Sequence, residues 1–134
     1  MKTKFAIGCL VQWYESEIIE QYVESLNDAI SKYDGEVLVD ICLVVNTELE
    51  KPTSQQALDK AVEKISFICG GVNTFTTTNH LMTIADYRRE FNDEYCTEVD
   101  VLVWGESDML VPKQAFIVLD HLHQNVKTPK YLAT

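Results

Sequence analysis

Apolar residues come in two patterns along this chain. Some stand in short unbroken runs, and others recur every third or fourth position. Phe5–Val11 (FAIGCLV) is a run of the first kind, and Val37–Val45 (VLVDICLVV) is a second apolar segment, rich in β-branched residues. Their length and β-branched content predict strands buried on both faces, as in a parallel sheet. Between them, Ile18, Ile19, Tyr22, Val23, Leu26 and Ile30 form one stripe at helical spacing. That spacing predicts an amphipathic helix over Ser16–Tyr33. Ser16 can cap it, Glu17 and Glu20 suit its positive end, and Asp34-Gly35 ends it.

The same alternation continues. Asn46–Ser54 reads as a polar loop, and Thr53 with Gln56 as a capping box just after Pro52. A helix follows to about Lys64, with Ala57, Leu58, Ala61, Val62 and Ile65 on its stripe. Phe67–Cys69 predicts a short third strand, and Gly70 to about Asn79 a long loop rich in glycine and threonine. Tyr87, Phe91 and Tyr95 repeat every fourth position and predict a helix over Thr83–Tyr95. Val99–Trp104 predicts a fourth strand, Pro112–His123 a helix opened by proline, and Lys130–Thr134 the beginning of a further strand. The order β-α-β-α-β-α-β-α predicts a three-layer α/β/α domain with a mostly parallel sheet.

Composition narrows this picture. The 134 residues are 46% hydrophobic and 24% charged, which suits a single globular domain over 1–134. A net charge of −10 opposes direct nucleic-acid binding and adhesion to anionic membranes. Cys9, Cys42, Cys69 and Cys96 are widely spaced, with no CxxC. A zinc ribbon needs ligands about two to four residues apart, so buried thiols are expected instead at Cys9, Cys42 and Cys69, which sit in or beside apolar runs. No apolar run reaches the roughly 18 residues of a membrane span, and the first one stops at Gln12. A reducing cytoplasm is the expected location.

Ligands of open α/β sheets bind beyond the carboxyl ends of the strands. Those positions hold Gln12, Trp13, Tyr14 and Glu15, then Asn46 and Thr47, then Gly105, Glu106, Ser107 and Asp108. Neither GxGxxG nor GxxxxGK[ST] is present, which removes support for Rossmann dinucleotide binding and for P-loop phosphoryl transfer. Glu106 and Asp108 stand two apart at a strand exit. Such a pair suits Mg²⁺ or Mn²⁺, which often take one or two carboxylates plus substrate phosphates. Spacing alone favours instead an exposed acidic turn that caps the next helix. His121 and His123 point to different helix faces and make a poor metal pair. Trp104 is expected in the core.

FAIGCLVQWYESEIIEQYVESL near the start and VDVLVWGESDMLVP near the end together resemble the nucleotide-binding half of GT-A-fold glycosyltransferases. That family pairs an aromatic-plus-acid turn after the first strand with a DXD motif after a later one. The resemblance implies a GT-A-like fold, a nucleoside diphosphate sugar as donor, and Mn²⁺ or Mg²⁺ as cofactor. Asp108 would be the metal ligand, and Glu106 would reach the ribose or a metal-bound water. Gln12, Trp13, Tyr14 and Glu15 would border the nucleotide. Asn46 stands where the family usually has an aspartate for the base. In the third predicted helix, Asp86 and Arg89 would reach the nucleotide or diphosphate; the plainer alternative pairs its arginines with Glu90, Asp93 or Glu94. Only Met109–Thr134 follows Asp108, so a donor-binding part truncated at the C-terminus is expected, with unknown acceptor and catalytic residues. Two rival readings remain. One is a non-catalytic module for nucleotide or protein. The other is a nucleotidyltransferase, although QWYE is not the glycine-rich basic loop that class shows.

Overall fold

The computed structural model describes residues 2–12, 18–44, 63, 74–78 and 83–125. In them, strands β1 (Phe5–Gln12), β2 (Val37–Val44), β3 (Thr74–Thr78) and β4 (Val101–Trp104) form one sheet. Its order is β3-β2-β1-β4 and every pairing is parallel. Helices α1 (Ile19–Ser31), α2 (Ile84–Tyr95) and α3 (Ala115–Asn125) complete the described elements. Among the described residues the chain has the α/β content and the parallel sheet read from the sequence.

Side chains alternate across β1 and build two apolar clusters. Phe5, Ile7, Cys9 and Val11 pack with Val39, Ile41 and Leu43 of β2, with Ile19, Tyr22 and Leu26 of α1, and with Phe116 of α3. Ala6 packs with Cys42 and Val44 and with Tyr87, Phe91 and Tyr95 of α2. Both faces of β1 are thus covered, as its unbroken apolar run requires. Cys9 and Cys42 are buried, as expected, Cys96 is exposed, and Cys69 lies outside the described residues.

Several local expectations need correction. Thr74–Thr78 is a strand paired with β2, where a loop was expected from the glycines and threonines around it. The reason is that TFTTT is β-branched and aromatic, a composition that fits a pleated surface. The first helix begins at Ile19 with no side-chain cap and ends at Ser31. Gly35 is not left-handed, so it is no helix-ending glycine of the usual kind. A side chain there would come within 2.7 Å of Cζ of Tyr33, whose ring folds over the position. The last helix starts at Ala115 rather than Pro112, whose carbonyl accepts from the Ala115 amide in a preceding turn. Thr83 does cap α2, in a reciprocal capping box with Asp86. The expected strand at Phe67–Cys69, the Thr53/Gln56 capping box and the segment Lys130–Thr134 lie outside the described residues, as does the helix before Lys64 except for helical Glu63.

The amino end of the sheet is tied shut. The Thr3 amide donates to Asp120 Oδ1 at 3.0 Å, and Tyr33 Oη donates to the Thr3 carbonyl. The amide of Lys4 donates to Asp100 Oδ2, and the Asp100 amide returns a bond to the Lys4 carbonyl, each at 2.8 Å. Phe116 packs on Phe5 and Tyr33 with ring centroids 5.2 and 6.2 Å away. Hydrogen bonds from Thr3, side chain first and then amide, hold the Asp120 carboxyl down at about 2. Burial, and then the Asp120 charge, pushes the Tyr33 hydroxyl up to about 12.

Candidate functional site

Strands β1, β2 and β3 step outward in one direction, whereas β4 adds on the other side of β1. The chain therefore reverses its winding between β1 and β4. In an open α/β sheet, ligands bind at that reversal, beyond the carboxyl ends of the two strands. A surface depression of about 420 Å³ lies there. It is lined by Leu10 of β1, by Ile18 and Ile84 at the starts of α1 and α2, and by the segment Gly105–Asp108. Ile18 and Ile84 are both about half exposed, which makes the rim apolar.

The segment after β4 takes its shape from its neighbours. The Gly105 amide donates to the Gly8 carbonyl at 2.7 Å and carries the β1–β4 ladder one step further. A side chain at Gly105 would drive into the Tyr22 ring of α1, so glycine lets the strand exit lie close against that helix. The Met109 amide then donates to the Glu106 carbonyl at 3.0 Å and closes a turn. Within it Ser107 is buried, while Glu106 and Asp108 are exposed and both line the depression.

One wall comes from α2. Arg88 pairs with Glu106 at 3.6 Å, and its guanidinium lies 4.7 Å from the centroid of the Trp104 ring. Trp104 Nε1 donates to Asn92 Oδ1 at 3.0 Å. Trp104 is 45% exposed, which corrects its expected place in the core. It stands at the last position of β4, where Arg88 and Asn92 meet the ring. Arg89 and Asp86 pair with each other at 3.6 Å on the surface of α2. Arg88, rather than Arg89, thus meets the acidic segment, and neither arginine makes its recorded ion pair with Glu90, Asp93 or Glu94. Asp86 is also engaged in the cap with Thr83. Gln12 ends β1, half-buried, in register with Val44. Trp13, Tyr14, Glu15 and Asn46 lie outside the described residues.

Asp40 did not stand out in the sequence. It is buried at the centre of β2, and its two carboxyl oxygens accept from Tyr87 Oη at 2.7 Å and Tyr95 Oη at 3.0 Å. Burial first, and then the Asp40 charge and hydrogen bond, pushes the Tyr87 hydroxyl far above its ordinary value, so Tyr87 stays a donor. Burial, followed by the charges of Asp40 and Glu98, also raises Glu94. A single acid inside VLVDICLVV was the available signal, because a buried carboxyl group must find partners.

Among the described residues, no group of three or more His, Cys, Asp or Glu is placed to hold a metal ion. A cation beside Asp108 would therefore draw most of its ligands from water and from bound phosphate, a pattern Mg²⁺ commonly accepts. No described helix is long and apolar enough to cross a membrane. Comparison with protein-family models, curated proteins and solved structures gives no match. The class defined is a parallel α/β domain with an open acidic crevice at its winding reversal.

Proposed function

We propose that this crevice binds a nucleoside diphosphate sugar together with Mn²⁺ or Mg²⁺. The domain would then be the donor-binding part of a glycosyltransferase, with a GT-A-like three-layer arrangement and an acceptor of unknown kind. One observation carries the reading: Glu106 and Asp108 line a depression at the winding reversal between β1 and β4. That is where the sheet's topology favours a ligand. Asp108 is the residue that would hold the cation, and the cation would supply Lewis-acid stabilisation of the leaving diphosphate. Arg88 supplies a planar fork suited to phosphate oxygens. Its Nε makes no hydrogen bond among the described residues. Its pairing with Glu106 is exposed and so weak enough to yield to a stronger anion. Trp104 offers an exposed ring beside it.

The test is a titration with UDP and with GDP, each with and without Mn²⁺. Metal-dependent affinity for one of them, lost in Asp108→Ala, supports the proposal. Equal affinity in that variant removes Asp108 as the metal ligand. A second reading, a non-catalytic protein-binding module, is favoured by the exposed Ile117, Val118 and Leu122 of α3. Absence of any nucleotide binding would turn the assignment to it.

A further inference from the structure

Among the described residues, Asp40 is the acidic side chain buried on the sheet face under α2. Asp40 is gripped from two directions, by Tyr87 one turn into α2 and by Tyr95 at its last residue. These two positions are about 12 Å apart along the helix axis, and Phe91 packs between them. Gly8 stands opposite Asp40 in register. Any side chain there would come within 2.7 Å of Tyr87 Oη and of the Phe91 ring. The missing side chain lets the Tyr87 hydroxyl reach down to the sheet.

Apolar contact is non-directional, so a helix on an apolar sheet face can shift at small cost. Two hydrogen bonds converging on one carboxyl group from two turns of α2 remove that freedom. The same helix carries Ile84 on the rim, Arg88 against Glu106 and Trp104, and Asn92 against the Trp104 ring. We infer that Asp40 is a positioning residue for the carboxyl-end site: it fixes α2 where Ile84, Arg88 and Asn92 meet the Trp104–Asp108 segment. This rests on the reading of the crevice as a nucleotide site.

The test replaces the whole network by apolar groups of similar size, as Asp40→Leu with Tyr87→Phe and Tyr95→Phe. Removing the three together leaves neither the Asp40 carboxyl nor a tyrosine hydroxyl of this set orphaned, so such a change can be nearly neutral for folding. Asp40→Asn is the conservative rescue, since its amide can still accept from one tyrosine and donate to the other. Two signals are read at native conditions. One is the affinity for UDP with Mn²⁺. The other is the fluorescence of Trp104, measured with Trp13→Phe so that one tryptophan remains.

In the triple variant, UDP affinity should fall about tenfold, within the range that coupled positions show, and Trp104 emission should change. Asp40→Asn should keep both near wild type. A folded triple variant with wild-type affinity and wild-type emission overturns the inference, because the network would then serve stability alone. If the triple variant does not fold, Tyr87→Phe is read in the same two ways, and a folded single variant with both signals unchanged overturns it equally. If the wild-type chain binds no UDP, the nucleotide reading fails by itself, and Trp104 emission still decides whether Asp40 positions α2.

Discussion

The two ends of the sheet are built on different terms. At the amino end, Thr3 is bonded to Asp120 and Tyr33, Lys4 to Asp100, and three aromatic rings pack under them. At the carboxyl end, Ile18, Ile84 and Trp104 stay about half exposed, and the recorded ion pairs Arg88–Glu106 and Arg89–Asp86 are surface pairs. Surface pairs contribute about 0–1 kcal/mol each, whereas one buried aromatic ring contributes several. Among the described residues, the backbone clamps and the ring packing on Phe5 gather at the amino end, and the half-exposed apolar rim lies at the carboxyl end. The crevice beyond the carboxyl ends of the strands, beside a winding reversal, is where open α/β sheets bind ligands.

Substitutions should separate the two ends. The largest effect is expected from Phe116→Ala, which empties a side chain only 1% exposed between Phe5 and Tyr33. Denaturant unfolding should show a loss of about 3–5 kcal/mol, while the folded fraction keeps its UDP affinity. A loss of affinity in the folded fraction would mean that the ends are coupled.

Acid should act more gently, again at the amino end. The folded Asp120 carboxyl lies at about 2, below the value of about 4 for an unfolded aspartate. A lowered folded value contributes stability above the unfolded value and loses it as pH falls through the folded one. The stability gap between wild type and Asp120→Asn should therefore be fully present at about pH 5 and shrink steadily between about pH 4 and pH 2. Urea midpoints across that range measure it, and a gap that does not change would remove the Thr3–Asp120 clamp from the account.

The difference between the ends also explains what could be read in advance. Unbroken runs such as FAIGCLV report burial on both faces, and the strand alternation followed from them. Gly105–Asp108 could be named as a candidate because the carboxyl-end rule needs only the position of a strand exit, and the segment does line the depression there. β3 was not legible, since threonines within a glycine-rich stretch suit a loop as well as an edge strand. The contacts that α2 makes beside the crevice were not either. Arg88 and Arg89 are neighbours in sequence, and only the packing of α2 on the sheet sends one to Glu106 and leaves the other on Asp86. Asp40 was hidden for a related reason. Tyr87 and Tyr95 count as apolar in a periodic stripe, and their hydroxyls matter only once β2 lies beneath them. Trp104 looked like core because its strand is apolar, yet it falls on the last residue where the sheet gives out.

The most direct test follows backbone amide signals of the isotopically labelled chain while UDP is added with Mg²⁺. Shifts should gather at Leu10, Ile84 and Gly105–Asp108, and the amides of Thr3, Tyr33 and Asp120 should stay still. Shifts at the Thr3–Asp120 end, or a silent Gly105–Asp108 segment, would contradict the assignment of binding to the open end of the sheet.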